Sequence, residues 1–174
     1  MKSVINFESV KAMGRLVELE YRAVNYNEDY FPEIASKVLS DFTLNYKWAP
    51  AEIANYLTEV GNLPAFPFSD MPIVVYKSKE FYIEILNWTN ASTSIHQHSF
   101  SGAFKVLLGS SMHSCYEFEK QGQAHIDILL GQVNCLSLEK LAVGDVRKIK
   151  PGGEFAHCLY HLESPSATMV VRTN

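Results

Sequence analysis

The sequence predicts a mostly β protein, an antiparallel barrel or sandwich covered by a set of α-helices at its N-terminal end. Three observations predict it. Up to Asn62 the apolar residues recur at three- and four-residue steps. From Pro72 onward, short runs rich in β-branched and aromatic residues alternate with turn signals. The helical part precedes the strands instead of alternating with them, which disfavours a parallel α/β sheet. With 174 residues, 47% of them hydrophobic and 12% aromatic, the chain can bury one sizeable core. A single domain is expected, helical over 1–62 and barrel-forming over 72–174.

The first helix is expected from Phe7 to Asn25, because Val10, Met13, Val17, Tyr21 and Val24 fall on one face. The second starts near Pro32, after Glu28 and Asp29, where a helix N-terminus favours negative charge, and turns Ile34, Val38 and Phe42 inward. Pro50 opens a third, with Ile53, Tyr56, Leu57 and Val60 on one side and Gly61-Asn62 as a left-handed stop. Two prolines in Leu63–Phe68 forbid a regular helix and make that segment an extended connection. Strands are then expected at 72–77, 80–88, 93–98, 103–108, 111–118, 124–130, 145–150, 155–161 and 167–173.

Charge and composition remove several classes of function. The net charge of −4 and the scattered basic residues offer no footprint for nucleic acid. No apolar run approaches the roughly 18 to 20 residues a membrane span needs, and Met1–Glu8 lack the apolar core of a signal peptide, so a cytoplasmic location is expected. Cys115, Cys135 and Cys158 form no CxxC pair and are odd in number, which argues for reduced, mostly buried thiols.

The chemistry lies in two segments. In Ser94-Ile95-His96-Gln97-His98 the two histidines are two apart on a predicted strand, so both side chains leave one face and can converge on one ion. Alone, that spacing is equally compatible with two hydrogen-bonded histidines and no metal. The second segment, Gly144 to His157, reads as a strand, a tight turn at Pro151-Gly152 and a returning strand that carries His157.

Together the two segments resemble the paired motifs of the cupin superfamily. Gly109 falls at the glycine of the first motif, Gly102 stands where that motif usually has Glu, and Gly144, Pro151-Gly152 and His157 match the second with a one-residue variation in the turn. The resemblance covers the chain from near Pro72 to the C-terminus. It implies a double-stranded β-helix, or jelly-roll, barrel with a metal ion held inside by His96, His98 and His157. Three histidines without a carboxylate form a neutral ligand set that leaves the ion its full double charge and open positions, which favours Fe(II), with Zn, Ni or Mn as alternatives.

Within the superfamily, Phe81–Trp88 followed by Ser94-Ile95-His96-Gln97-His98 is similar to the thiol dioxygenases, the cysteine dioxygenase family and its relatives. This implies a metal-dependent oxidoreductase acting on a small thiol with O2. The chain departs from that family at two places. Where the family has a carboxylate-binding arginine before the Phe81 strand, this chain has Tyr76, Lys77 and Lys79, and where it has a Ser-x-His-x-Tyr triad this chain has Thr168, Val170 and Arg172.

Candidate substrate-pocket residues are therefore Tyr76, Arg172 as an inward-pointing anchor, and His113 and His161; for the last two the alternative is a core histidine bonded to backbone. Strand parity puts His161 on the face of His157 and Cys158 on the opposite one. Two other functions stay open. One is a non-catalytic cupin that binds a metal or small molecule; the other is a cupin enzyme with another metal and reaction. A homodimer through sheet edges is also compatible with the sequence.

Overall fold

The computed structural model describes residues 7–44, 46–60, 68–90, 93–126, 128–153 and 155–174. Three helices come first: α1 (Phe7–Ala23), α2 (Phe31–Asp41), entered through a 3₁₀ turn at Glu28–Tyr30, and α3 (Pro50–Val60). Nine strands follow among the described residues: β1 (Met71–Lys77), β2 (Phe81–Trp88), β3 (His96–Gln97), β4 (Gly102–Leu108), β5 (Ser111–His125), β6 (Ile128–Leu141), β7 (Val146–Ile149), β8 (Ala156–His161) and β9 (Ser166–Thr173). The expected stop at Gly61-Asn62 and the connection through 63–67 lie outside the described residues.

The strands make two antiparallel sheets, one ordered β1-β2-β9-β4-β7 and the other β3-β8-β5-β6, which face each other as a jelly-roll barrel. The five-stranded sheet is covered on both faces. Alternation along β2 sends Phe81, Ile83 and Ile85 to the helices and Leu86 and Trp88 into the barrel; along β9, Ala167, Met169 and Val171 face the helices while Val170 faces inward. This is why β2 and β9 read as almost continuous apolar runs.

The helices supply Val10, Met13, Val17, Tyr21, Phe31, Ala35, Val38, Leu39 and Ile53 to the outer layer. Each large side chain buried there contributes roughly 1.5–3 kcal/mol. Gly14 allows the ring of Tyr76 to lie directly on α1, since a Cβ there would fall 2.5 Å from it. Lys105 reaches from β4 to the end of α2 and donates to the carbonyls of Leu39 (2.8 Å) and Phe42 (2.6 Å), satisfying groups that the last turn leaves open.

One strand expectation is corrected. A strand over 124–130 is not formed; that stretch spans the tip of a long hairpin, and residues 128–141, largely unassigned from sequence, pair with β5 throughout. The hairpin runs on past Tyr116, where β5 loses its other partner β8, so its faces are largely solvated and Ile126 is 79% exposed. The apolar residues of β6, among them Ile128, Leu130, Val133, Leu136 and Leu138, are exposed and follow no single alternation along the strand, so the run carries no clear strand signal. The expected strand 93–98 shortens to His96–Gln97, with His98 forming a single parallel bridge to Pro151. The three cysteines are free, but Cys135 is exposed and the other two are half-buried, so the expectation of mostly buried thiols does not hold.

Candidate metal centre and its cavity

His96 and His157 are register partners across β3 and β8, and the amide of Gly152 donates to the carbonyl of His98 at 2.8 Å. The HxH segment is thereby fastened to the Pro-Gly turn that precedes His157. Gly109 and Gly144, at the motif positions, adopt φ of 77° and 99°, values that a side chain disfavours. The ring nitrogens of His96, His98 and His157 come within 4.8 Å of one another.

Hydrogen bonds fix which nitrogen of each ring is free. His96 Nδ1 donates to the carbonyl of Ser94 at 2.7 Å, which leaves its Nε2 as a lone pair, buried and without a partner. Behind His157 runs a chain of three side chains, His113, Glu139 and Arg147. The Glu139 carboxylate, bound by Arg147, accepts from His113 Nδ1 at 3.1 Å. His113 Nε2 is then the acceptor for His157 Nδ1–H at 2.9 Å. The lone pair of His157 Nε2 is consequently aimed at His98, whose Nε2 is 2.9 Å away. Two ligand nitrogens at right angles on one ion, each about 2.0–2.1 Å from it, stand about 3 Å apart. The His98–His157 pair has that spacing, and His96 completes a set of three that can hold a divalent metal ion.

Electrostatics agree with that fit. Burial pushes the imidazolium of His98 down to about 3, aided by the crowding of His96 and by the Arg172 guanidinium, and that of His157 down to about 2, aided by the crowding of imidazoles that cannot all be protonated together, so both rings are neutral at physiological pH, as metal binding requires. His96 is lowered in the same direction by burial. No side chain fits at the position that commonly supplies a carboxylate, because a Cβ on Gly102 would lie 2.3 Å from the backbone oxygen of Val171.

The three histidines open on a cavity of about 290 Å³ walled mainly by Leu86, Phe100, Phe104, Ile149, Leu159 and Val170. Two charged residues also line it, Glu84 and Arg172. Arg172, expected as an inward-pointing anchor, is thus among the residues that line the cavity. Thr168 and Val170 line the same cavity, one with a hydroxyl and the other with an apolar side chain.

The remaining expected pocket residues are placed elsewhere. Tyr76 is on the helix side of the five-stranded sheet, stacked on Phe81 at 5.7 Å and packed on Gly14, because the irregularity between Val74 and Tyr76 shifts the register of β1. His113, 1% exposed, is one layer behind His157 and bonds to side chains instead of backbone. His161 shares the inward face of β8 but stacks on Trp88 at 4.8 Å and bonds to the Ser111 hydroxyl at 2.9 Å. Cys158, as parity requires, faces the other way, toward Ser114.

Sequence reading missed Glu84, Glu139 and Arg147. Glu84 carried a usable signal, a lone charge in the apolar run Phe81–Trp88 with the parity of Leu86 and Trp88. Glu139 did not, since its strand was not assigned.

No family model matches the chain, and no curated protein matches it. Solved structures do. The chain is similar to a cupin-2 domain-containing protein of Shewanella frigidimarina, with 13% identity over 70% of this chain and 92% of that one and a TM-score of 0.42. It is similar to the hydroquinone 1,2-dioxygenase of Sphingomonas sp. TTNP3, solved with 4-hydroxybenzoate bound, at 16% identity over 63% and 68% of the two chains with a TM-score of 0.47. An oxalate decarboxylase variant of Bacillus subtilis is similar at 17% identity over 56% of this chain and 22% of that one, with a TM-score of 0.40.

Proposed function

We propose that this chain is a metal-dependent oxidoreductase in which His96, His98 and His157 hold Fe(II) and a small thiol is oxidised by O2 to a sulfinic acid. The observation that carries the reading is the cluster itself: three imidazoles with no carboxylate among them, at the mouth of a largely apolar cavity. When bound, the ion supplies a common centre at which a thiolate and O2 meet. In the overall reaction the S–H bond is lost, both oxygen atoms end on sulfur, and O2 takes the four electrons sulfur gives up.

The chain's own residues set the conditions for this. Ser94 and the His113–Glu139–Arg147 chain keep His96 and His157 in the ligating tautomer. Phe100, Phe104, Leu159 and Val170 exclude water from the space beside the ligands. Glu84 and Arg172 give the opposite wall its polarity. The absence of an imidazole at Val170 and of a phenol at Arg172 favours a second reading, a cupin that binds metal and a small molecule without turnover.

The test is O2 consumption by protein loaded anaerobically with Fe(II) and offered a panel of small thiols, with mass spectrometry of the product. Thiol-dependent uptake of one O2 per sulfinic acid, lost on His157→Ala, supports the proposal. Stoichiometric iron with no uptake for any thiol supports the binding module.

A further inference from the structure

The cavity wall formed by β2 and β9 holds two charged side chains to which the metal reading gives no chemical task. Arg172 extends inward from β9 with its guanidinium carbon 3.6 Å from the centre of the Phe100 ring and 4.8 Å from that of Tyr82. Aromatic faces hold the guanidinium flat but accept none of its five N–H groups in the plane. Among the described residues its polar contacts are few. Nε donates to the carbonyl of Thr173 at 3.5 Å, and Nη1 stands 3.7 Å from Glu84 Oε1, an ion pair beyond hydrogen-bond length. A planar cation with most of its donors unmet therefore lines a space walled by Leu86, Phe104 and Val170.

Glu84 completes the arrangement. Its side chain is 6% exposed and makes no side-chain hydrogen bond among the described residues. The titratable groups facing it are Arg172 on β9, which is charged, and Tyr82 on its own strand, which is neutral; His98 and His157, also neutral, line the same cavity, and its partner on β1 is the apolar Val74. Burial raises this carboxyl to about 7 in spite of the nearby guanidinium. One cation in so dry a space neutralises one carboxylate, and a second anion brought to it forces one of the two to protonate.

We propose that this wall is an anion subsite: a small molecule with a planar carboxylate docks on the guanidinium edge of Arg172 in place of Glu84, and Glu84 takes up one proton from solvent. The ligand class is a small monoanionic carboxylic acid with an apolar body that fits within about 290 Å³. The inference rests on the cavity being the ligand site of the reading above, but it requires neither iron nor a thiol.

Isothermal titration with benzoate, and with benzamide as its neutral isostere, tests it in buffers of differing ionisation enthalpy. We expect benzoate to bind at least about tenfold more tightly than benzamide, with close to one proton taken up at about pH 8 and little below about pH 6. Glu84→Gln is expected to abolish the uptake and make the affinity independent of pH. Arg172→Met is expected to weaken benzoate at least about tenfold while leaving benzamide and the bound metal unchanged. Equal binding of the two probes, no proton uptake by the wild type, or full benzoate affinity in folded Arg172→Met overturns the proposal. The His96→Ala/His98→Ala double variant separates the two readings. Benzoate binding that survives in it supports an Arg172 site, whatever the metal result, and binding lost there but kept in Arg172→Met assigns the carboxylate to the metal and overturns it.

Discussion

Replacing His113 by phenylalanine isolates the contribution of the side-chain relay to metal binding. His113 is 1% exposed and surrounded by aromatic rings, Phe104 at 5.7 Å and Phe155 at 6.4 Å, so a phenyl ring of similar size keeps the packing and removes only the nitrogens. What is lost is the acceptor for His157 Nδ1–H. A buried donor left without a partner costs roughly 1–3 kcal/mol. His157 avoids that cost by moving its proton to Nε2, and in that tautomer it has no lone pair for the ion. Metal binding must then restore the costly tautomer, so affinity should fall by about 10- to 100-fold, or about 1.4–2.7 kcal/mol.

Competition of the metal-free protein with a chelator for Zn(II), a redox-silent probe, gives the affinity, and ring-nitrogen NMR gives the tautomer. His113→Gln, whose amide oxygen can accept the same proton, should retain affinity within a few-fold. A folded His113→Phe variant that binds Zn(II) like the wild type would refute the reasoning, as would a wild-type His157 that carries its proton on Nε2 with Nδ1 as acceptor.

Other consequences follow from the same geometry. Burial lowers His161 from 6.5 to about 4, so the fold resists its protonation. The resulting stability is present above about pH 6.5 and is lost as pH falls through about 4, a difference of 2.5 units or about 3 kcal/mol. Urea denaturation of wild type and His161→Gln at these two pH values should show most of that loss only in the wild type. Glu84 has the opposite sign: raised from 4.5 to about 7, its contribution is full below about pH 4.5 and is lost as pH rises through about 7, again about 3 kcal/mol. Glu84→Gln should therefore be more stable than wild type at about pH 8, and an unchanged midpoint would count against its burial. Gly102→Ala forces a methyl group to within 2.3 Å of a backbone oxygen and should destabilise by about 1–3 kcal/mol by calorimetry, with loss of metal if β4 shifts.

Much of this was legible in the sequence, for physical reasons that differ from element to element. The helices announced themselves because each buries one stripe, as with Val10, Met13, Val17 and Tyr21 on α1. The clustering of His96, His98 and His157 was legible because two-residue spacing on a strand dictates a shared face, and because the turn at Pro151-Gly152 brings His157 back beside it. Of the β5–β6 hairpin only the stretch 111–118 was read; β6 was not, since its exposed apolar residues, from Ile128 to Leu138, follow no single alternation. That gap hid Glu139 and with it the relay that orients His157. Tyr76 was misplaced because a register shift within β1 cannot be read from alternation, whereas Glu84 was overlooked although its parity with Leu86 was in plain view.

The measurement that tests the account most directly is the metal content of protein reconstituted anaerobically with Fe(II), in wild type and in the His96→Ala/His98→Ala double variant. The account predicts close to one ion per chain in the wild type and none in the folded variant. A wild type that holds no metal, or a variant that holds as much, would contradict it.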